Sequence, residues 1–157
     1  MNKKYLLLGA AVAVSGAAAL LHFSGDNQAR AFIDPADQAL VTRGKTIYAN
    51  QCAVCHGAKL EGQPEWRTRR PDGRLPAPPH DETGHTWHHP DAVLVDIVKN
   101  GLVPGRTAPD GYQSDMPAYA QVLSDEDIAA VLAYIKSTWP AEILEMQKDV
   151  SLQRDRK

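Results

Sequence analysis

The string Cys52-Ala53-Val54-Cys55-His56 limits the folds open to this chain more than any other feature. Two thiols separated by two residues, followed directly by an imidazole, form the attachment sequence for c-type haem. Each thiol can add to one vinyl group of a porphyrin, and the adjacent His is then carried under the ring, where a nitrogen can bind iron. Other chemistries share part of the pattern. A thioredoxin-like redox pair expects a βαβ setting, whereas the residues before Cys52 look helical. Half of a zinc site would need further Cys or suitably placed His, and the chain has no third Cys. The string occurs once, which implies one haem. With both cysteines so used, no disulfide remains to brace the fold, and a flat apolar prosthetic group serves as part of the core.

The 157 residues suffice for one modest domain with extensions, and a formal charge of −2 leaves no nucleic-acid footprint. Lys3 and Lys4 precede an uncharged stretch from Tyr5 to Phe23 that is rich in Leu, Ala and Val. Residues 1–31 therefore read as an export signal, or as an N-terminal membrane anchor plus linker, and they place the remainder outside the cytoplasm. Ala17-Ala18-Ala19 and Ala29-Arg30-Ala31 offer small residues for cleavage, yet the uncharged run reaches the about 17–25 residues that span a bilayer. Retention and cleavage both stand. If the segment is retained, the Lys pair orients it N-in.

Residues 34–140 are expected to form the main domain. Asp34-Pro35 reads as an N-cap and first helical position, and the helix should run to about Asn50, burying Leu40, Gly44, Ile47 and Tyr48. From Gly57 to His89 the prolines at 64, 71, 76, 78 and 79 exclude long regular elements. So long an irregular stretch is unusual in a compact domain, and wrapping around a haem edge is a good reason for it. A second helix should start at Pro90 or Asp91, bury Leu94, Ile97 and Val98, and stop at Gly101. After a loop over 102–123, Ser124 caps a last clear helix whose stripe is Ile128, Val131, Leu132 and Ile135, interrupted at Pro140. Residues 24–33 read as a polar tether, and residues 141–157 as a polar tail with a short, frayed helix. No strand is expected, so the fold class is mostly α.

His56 supplies one axial ligand in this reading. Met116, Met146 and the remaining histidines are candidates for the other. A lone Met is usually a packing residue. The order of parts is helix, CxxCH, long loop, helix, Met-Pro loop, helix. In that order, residues 36–139 resemble the class I bacterial c-type cytochromes. The matching residues are Gly44-x-x-x-Tyr48-x-x-x-Cys52-x-x-Cys55-His56-Gly57, then Met116-Pro117-Ala118-Tyr119, then Leu123 to Ile128 leading to Val131-Leu132-Ala133-Tyr134-Ile135. The resemblance implies a cytochrome c-like fold of short helices around one covalently bound haem c. It further implies that Met116 ligates iron opposite His56, and that the first and last helices cross near Gly44, Tyr48 and Tyr134. A Pro carbonyl should accept the other imidazole N–H, and Pro78 and Pro79 both qualify. The implied function is single-electron transfer between periplasmic or membrane redox partner proteins. With both axial positions filled, no enzyme chemistry is expected at the iron. The alternatives are a haem subunit of a larger oxidase or dehydrogenase complex, or a metal-binding protein acting through its His loop.

That loop carries His80, His85, His88 and His89, with Trp87 among them. Imidazoles suit copper or zinc. The plainer reading, which we prefer, packs the loop over the haem edge, with Trp87, Tyr48 and Tyr134 shaping the surroundings. Arg67, Arg69, Arg70 and Arg74 form a basic cluster on the preceding stretch. It could steer an acidic partner or pair with a haem propionate, but is more plainly a solvated loop.

Overall fold

In the computed structural model of this chain residues 32–154 are described, and the expected export or anchor segment at 1–31 lies outside them. The helices are α1 (Gln38–Ile47), α2 (Ala53–His56), α3 (Asp91–Asn100), α4 (Asp125–Lys136) and α5 (Ala141–Arg154), with a 3₁₀ turn at Thr86–His88. Among the described residues the only β-type pairing is an isolated bridge between Pro104 and Ala108. The mostly α class therefore holds.

The first helix departs from expectation at both ends. Its N-cap is Asp37, whose carboxylate accepts the amides of Ala39 and Leu40 at 3.0 and 3.1 Å. Asp34 instead accepts the Ala36 amide at 2.9 Å, so Asp34-Pro35 makes a turn. Asp at the first position of a turn with Pro next is as favourable as Asp and Pro at a helix start, and the second Asp takes the cap. At the other end the helix does not stop near Asn50. It passes through one wide π-type turn, Tyr48–Cys52, in which the Ala53 amide bonds the Tyr48 carbonyl, and ends at His56. Gly57, at φ 82°, then turns the chain away.

The crossing of α1 on α4 matches the expectation. Gly44 is buried, and a Cβ built on it would run into the Ala130 carbonyl and come within 3.0 Å of the Tyr134 Cβ. The helices meet backbone to backbone at Gly44 and Ala130, with the Tyr48 and Tyr134 rings 5.4 Å apart beside the contact. Gly44→Ala must push the helices apart and is expected to cost about 1–3 kcal/mol, read as a lower denaturant midpoint at unchanged m-value. On α4, Ile128, Val131, Leu132 and Ile135 are all buried, and Ser124 with Asp127 forms a capping box. On α3, Leu94 is buried while Ile97 and Val98 are half-buried.

Both ends of the described chain pack against the core, residues 24–31 of the expected tether lie outside the described residues, and the helix expected after Pro140 is present as α5. Ile33 is buried, and the Phe32 ring lies 3.6 Å below the Lys136 ammonium. Helix α5 docks through polar groups. Asp91 and Lys136 form a buried ion pair at 2.9 and 3.0 Å. Asp91 Oδ1 also accepts Gln147 Nε2 at 2.6 Å, Oδ2 accepts the Ile33 amide at 2.7 Å, and the Asp91 amide donates to Ser151 at 3.0 Å. One carboxylate thus joins the N-terminal segment, α3, α4 and α5. The tail reads as polar because the side chains it buries most deeply are Gln147 and Ser151, with Ile143 and Leu144 only partly buried against the core.

Candidate functional site

Cys52, Cys55 and His56 stand on one run of helix, and the wide turn before it sets how they face. Both thiols are unpaired, with Cys52 half-buried and Cys55 exposed. Burial, reinforced by Cys55, pushes the Cys52 thiol up to about 11. Two helix-end carbonyls are held by Tyr48, whose hydroxyl donates to Gly57 at 2.8 Å and to His56 at 3.3 Å. Burial drives that hydroxyl well above the ordinary tyrosine pKa.

His56 is only 8% exposed, and its Nδ1 lies 2.8 Å from the Pro78 carbonyl. A carbonyl can only accept, so Nδ1 carries the proton and Nε2 keeps its lone pair. Burial lowers the His56 pKa, with the Pro78 bond acting in the opposite sense. This resolves the choice between the two prolines. The chain closes on Pro78-Pro79 from two sides through glycines: a Cβ on Gly62 would overlap the Pro79 nitrogen, and one on Gly84 the Pro79 carbonyl.

Met116 lies on a different segment, held by the end of α3. The amides of Tyr119 and Ala120 donate to the Val98 and Lys99 carbonyls at 3.1 and 3.0 Å, and the Met116 amide donates to Ser114 at 3.0 Å. The link to the cysteine turn is Tyr119, whose hydroxyl donates to the Gln51 carbonyl at 2.8 Å. Burial first, and then Cys52 and Cys55, raise the Tyr119 pKa. Tyr119 had no assigned role from sequence, although it stands in the Met-Pro-Ala-Tyr match. Met146 is exposed on α5.

The arginine cluster is less free than a solvated loop. Arg70 and Arg74 both pair with Asp115, at 3.0 and 3.2 Å, and so fasten the long loop to the residue preceding Met116. Exposed pairs of this kind add little stability, and their effect is one of position. Arg74 Nε is buried without a hydrogen-bond partner. Arg67 stacks on Trp66, and Arg69 donates to the Gly73 carbonyl.

The four loop histidines part: His80 stands away from the others, while the His85 and His89 rings meet edge to face with centroids 5.6 Å apart. His85 stacks on Trp66 with ring centroids 5.6 Å apart, and His88 stacks on Trp87 at 3.6 Å. Trp87 packs with His88 toward Met146 and Val150 of α5, a neighbourhood sequence reasoning did not give it. Among the described residues no group of three or more His, Cys, Asp and Glu side chains is placed to hold a metal ion. His80 turns inward, its ring stacked on that of His56 at 3.9 Å and 22°. Burial, with His56 and His85 adding to it, holds the His80 pKa well below the ordinary imidazole value. Trp139, buried and unremarked in the sequence, donates its indole N–H to the His80 carbonyl at 2.7 Å.

Comparison with known proteins adds independent findings. The family model described as Cytochrome c matches residues 41–139. The cbb3-type cytochrome c oxidase subunit CcoP of Azospirillum sp. (strain B510) is 31% identical over 100 residues, 64% of this chain and 29% of the relative. The gluconate 2-dehydrogenase cytochrome c subunit of Pantoea cypripedii is 29% identical over 116 residues, 71% of this chain and 24% of the relative. The cbb3-type subunit FixP of Azorhizobium caulinodans is 29% identical over 94 residues, 60% of this chain and 28% of the relative. This chain spans less than a third of the length of each. No solved structure matches it.

Proposed function

This chain belongs to the cytochrome c family, and on that premise we propose that it is a monohaem c-type cytochrome passing single electrons between redox proteins outside the cytoplasm. The observation that carries the reading is His56: a buried imidazole with Nδ1 committed to Pro78, Nε2 free, and two unpaired thiols on the same turn. This donor set fits haem c. Cys52 and Cys55 would hold it through thioethers, His56 Nε2 and the Met116 sulfur would take the two axial positions, and the unsatisfied N–H of Arg74 is of the kind a propionate accepts. Bound haem supplies a one-electron Fe(II)/Fe(III) couple, which a thioether ligand and burial bias toward the ferrous form.

The residues around these ligands have positional tasks. Pro78 and Tyr48 fix the His56 side, while Tyr119 and the Arg70–Asp115–Arg74 clamp fix the approach of the Met116 loop. With His56 and Met116 both holding the iron, the chain would leave no site on it for a substrate, and the role we propose is that of a carrier. The test is the intact mass of protein matured in a host competent for haem attachment. One haem increment with both thiols blocked is expected; a colourless product with two free thiols would exclude the reading.

A second reading is favoured by the names of the relatives, all of which are subunits of oxidase or dehydrogenase complexes. In it the chain delivers electrons within one assembly, and copurification of a partner from detergent extracts separates it from a free carrier. The described residues contain no helix long and apolar enough to cross a membrane. We place the domain on the periplasmic side, with residues 1–31 serving as anchor or cleaved signal, which the N-terminal sequence of the mature protein would distinguish.

A further inference from the structure

We propose that His80 is a positioning residue for the axial ligand, fixing the plane of the His56 ring and through it the electronic state of the iron. The inference rests on the reading of His56 as an iron ligand. The bond from Nδ1 to Pro78, a bond from Nε2 to a metal and the covalent link at Cγ all act within the plane of the imidazole, and none of them bears on its face. The His80 ring, stacked at 3.9 Å and 22° from parallel, supports that face against tilting.

His80 is itself held too firmly to be a passive filler. Its amide donates to the Leu60 carbonyl at 2.8 Å, and its carbonyl accepts the Trp139 indole N–H at 2.7 Å. Its Nδ1 lies 2.8 Å from the hydroxyl of the buried Thr86. The edge of the Tyr48 ring closes another side, with centroids 6.4 Å apart. Leu60, the backbone acceptor, sits at φ 66°, a conformation a non-glycine residue keeps only where its surroundings over-determine it. A polar, hydrogen-bonded aromatic ring has therefore been fixed parallel to the ligand ring. The orientation of an axial imidazole plane selects which iron d orbital its π electrons raise, so this contact has an electronic readout that simple packing lacks.

The experiment uses ferric holoprotein, with covalent haem and histidine ligation first verified in the wild type. Absence of either would overturn the proposed function itself, and the present inference with it. With both present, the spread of haem methyl resonances and the electron paramagnetic g-values are compared among His80→Ala, His80→Phe and Thr86→Val. His80→Ala should change the methyl pattern and g-values, His80→Phe, which keeps a flat ring, should restore them most of the way, and Thr86→Val should shift them in the same sense but less. An unchanged pattern in both His80→Ala and Thr86→Val overturns the proposal, even if both melt earlier, because lost packing alone would do that. If His80→Ala fails to mature, Thr86→Val decides alone: a moved pattern supports the proposal and an unmoved one overturns it.

Discussion

Met116→Ala is expected to lower the reduction potential of the holoprotein by on the order of 0.1 V or more, a modest part of the roughly 0.8 V that axial ligation spans. The soft thioether favours Fe(II), and its removal withdraws that preference. The same substitution should abolish the long-wavelength methionine–iron absorption of the oxidised form and let added imidazole or cyanide bind. The expectation follows from the placement of the loop. Tyr119 ties it to Gln51 beside Cys52, and Arg70 and Arg74 hold Asp115 immediately before the Met. Met146→Ala is the control, since that side chain is 45% exposed on α5, and it should leave the spectrum and potential unchanged. An unaltered spectrum and potential in Met116→Ala would remove Met116 from the site.

Asp91→Ala is expected to destabilise the fold by about 3–5 kcal/mol, lowering the melting temperature by on the order of 10 °C. Asp91 is 3% exposed and Lys136 has no exposed surface. Removing the carboxylate would leave a buried ammonium with the Phe32 face and the unbonded Asp34 carboxylate as its remaining favourable neighbours, and would orphan the Ile33 amide and one Gln147 bond. Burial already lowers the Lys136 pKa even though Asp91 acts against it, so the cation is poorly placed to lose its partner. Asp91→Asn, which keeps an acceptor but not the charge, should fall between the two proteins. Thermal melts of all three decide the matter; a loss under 1 kcal/mol, about that of an exposed pair, would show that Asp91 is not the centre of the network.

The helix faces were legible because their spacing is a local property. The stripe on α4 and the stop at Gly101 follow from residues three or four apart, or from a single glycine, and both stand as expected. The start of α1 was not legible, because Asp34 and Asp37 are both good caps and the choice depends on where the Pro35 turn must place Ile33. The separate places of the loop histidines were not legible for a related reason. Four imidazoles close in sequence suggest a cluster, yet the Gly/Pro backbone sends His80 toward His56 and leaves His85 and His88 on separate tryptophans.

The chain alone determined the chemistry of attachment, since two thiols and an imidazole at fixed spacing have few other uses, and it determined the helical class through periodicity. Only the tertiary structure decided that the carbonyl of Pro78, and not of Pro79, accepts the hydrogen bond from His56 Nδ1, that His80 stacks on that ring, and that a polar C-terminal segment is a docked helix. The division has a physical cause. Covalent and helical patterns are written in neighbouring residues, whereas hydrogen-bond partners 22 and 56 positions apart are brought together by the path of the loops, which no local pattern encodes.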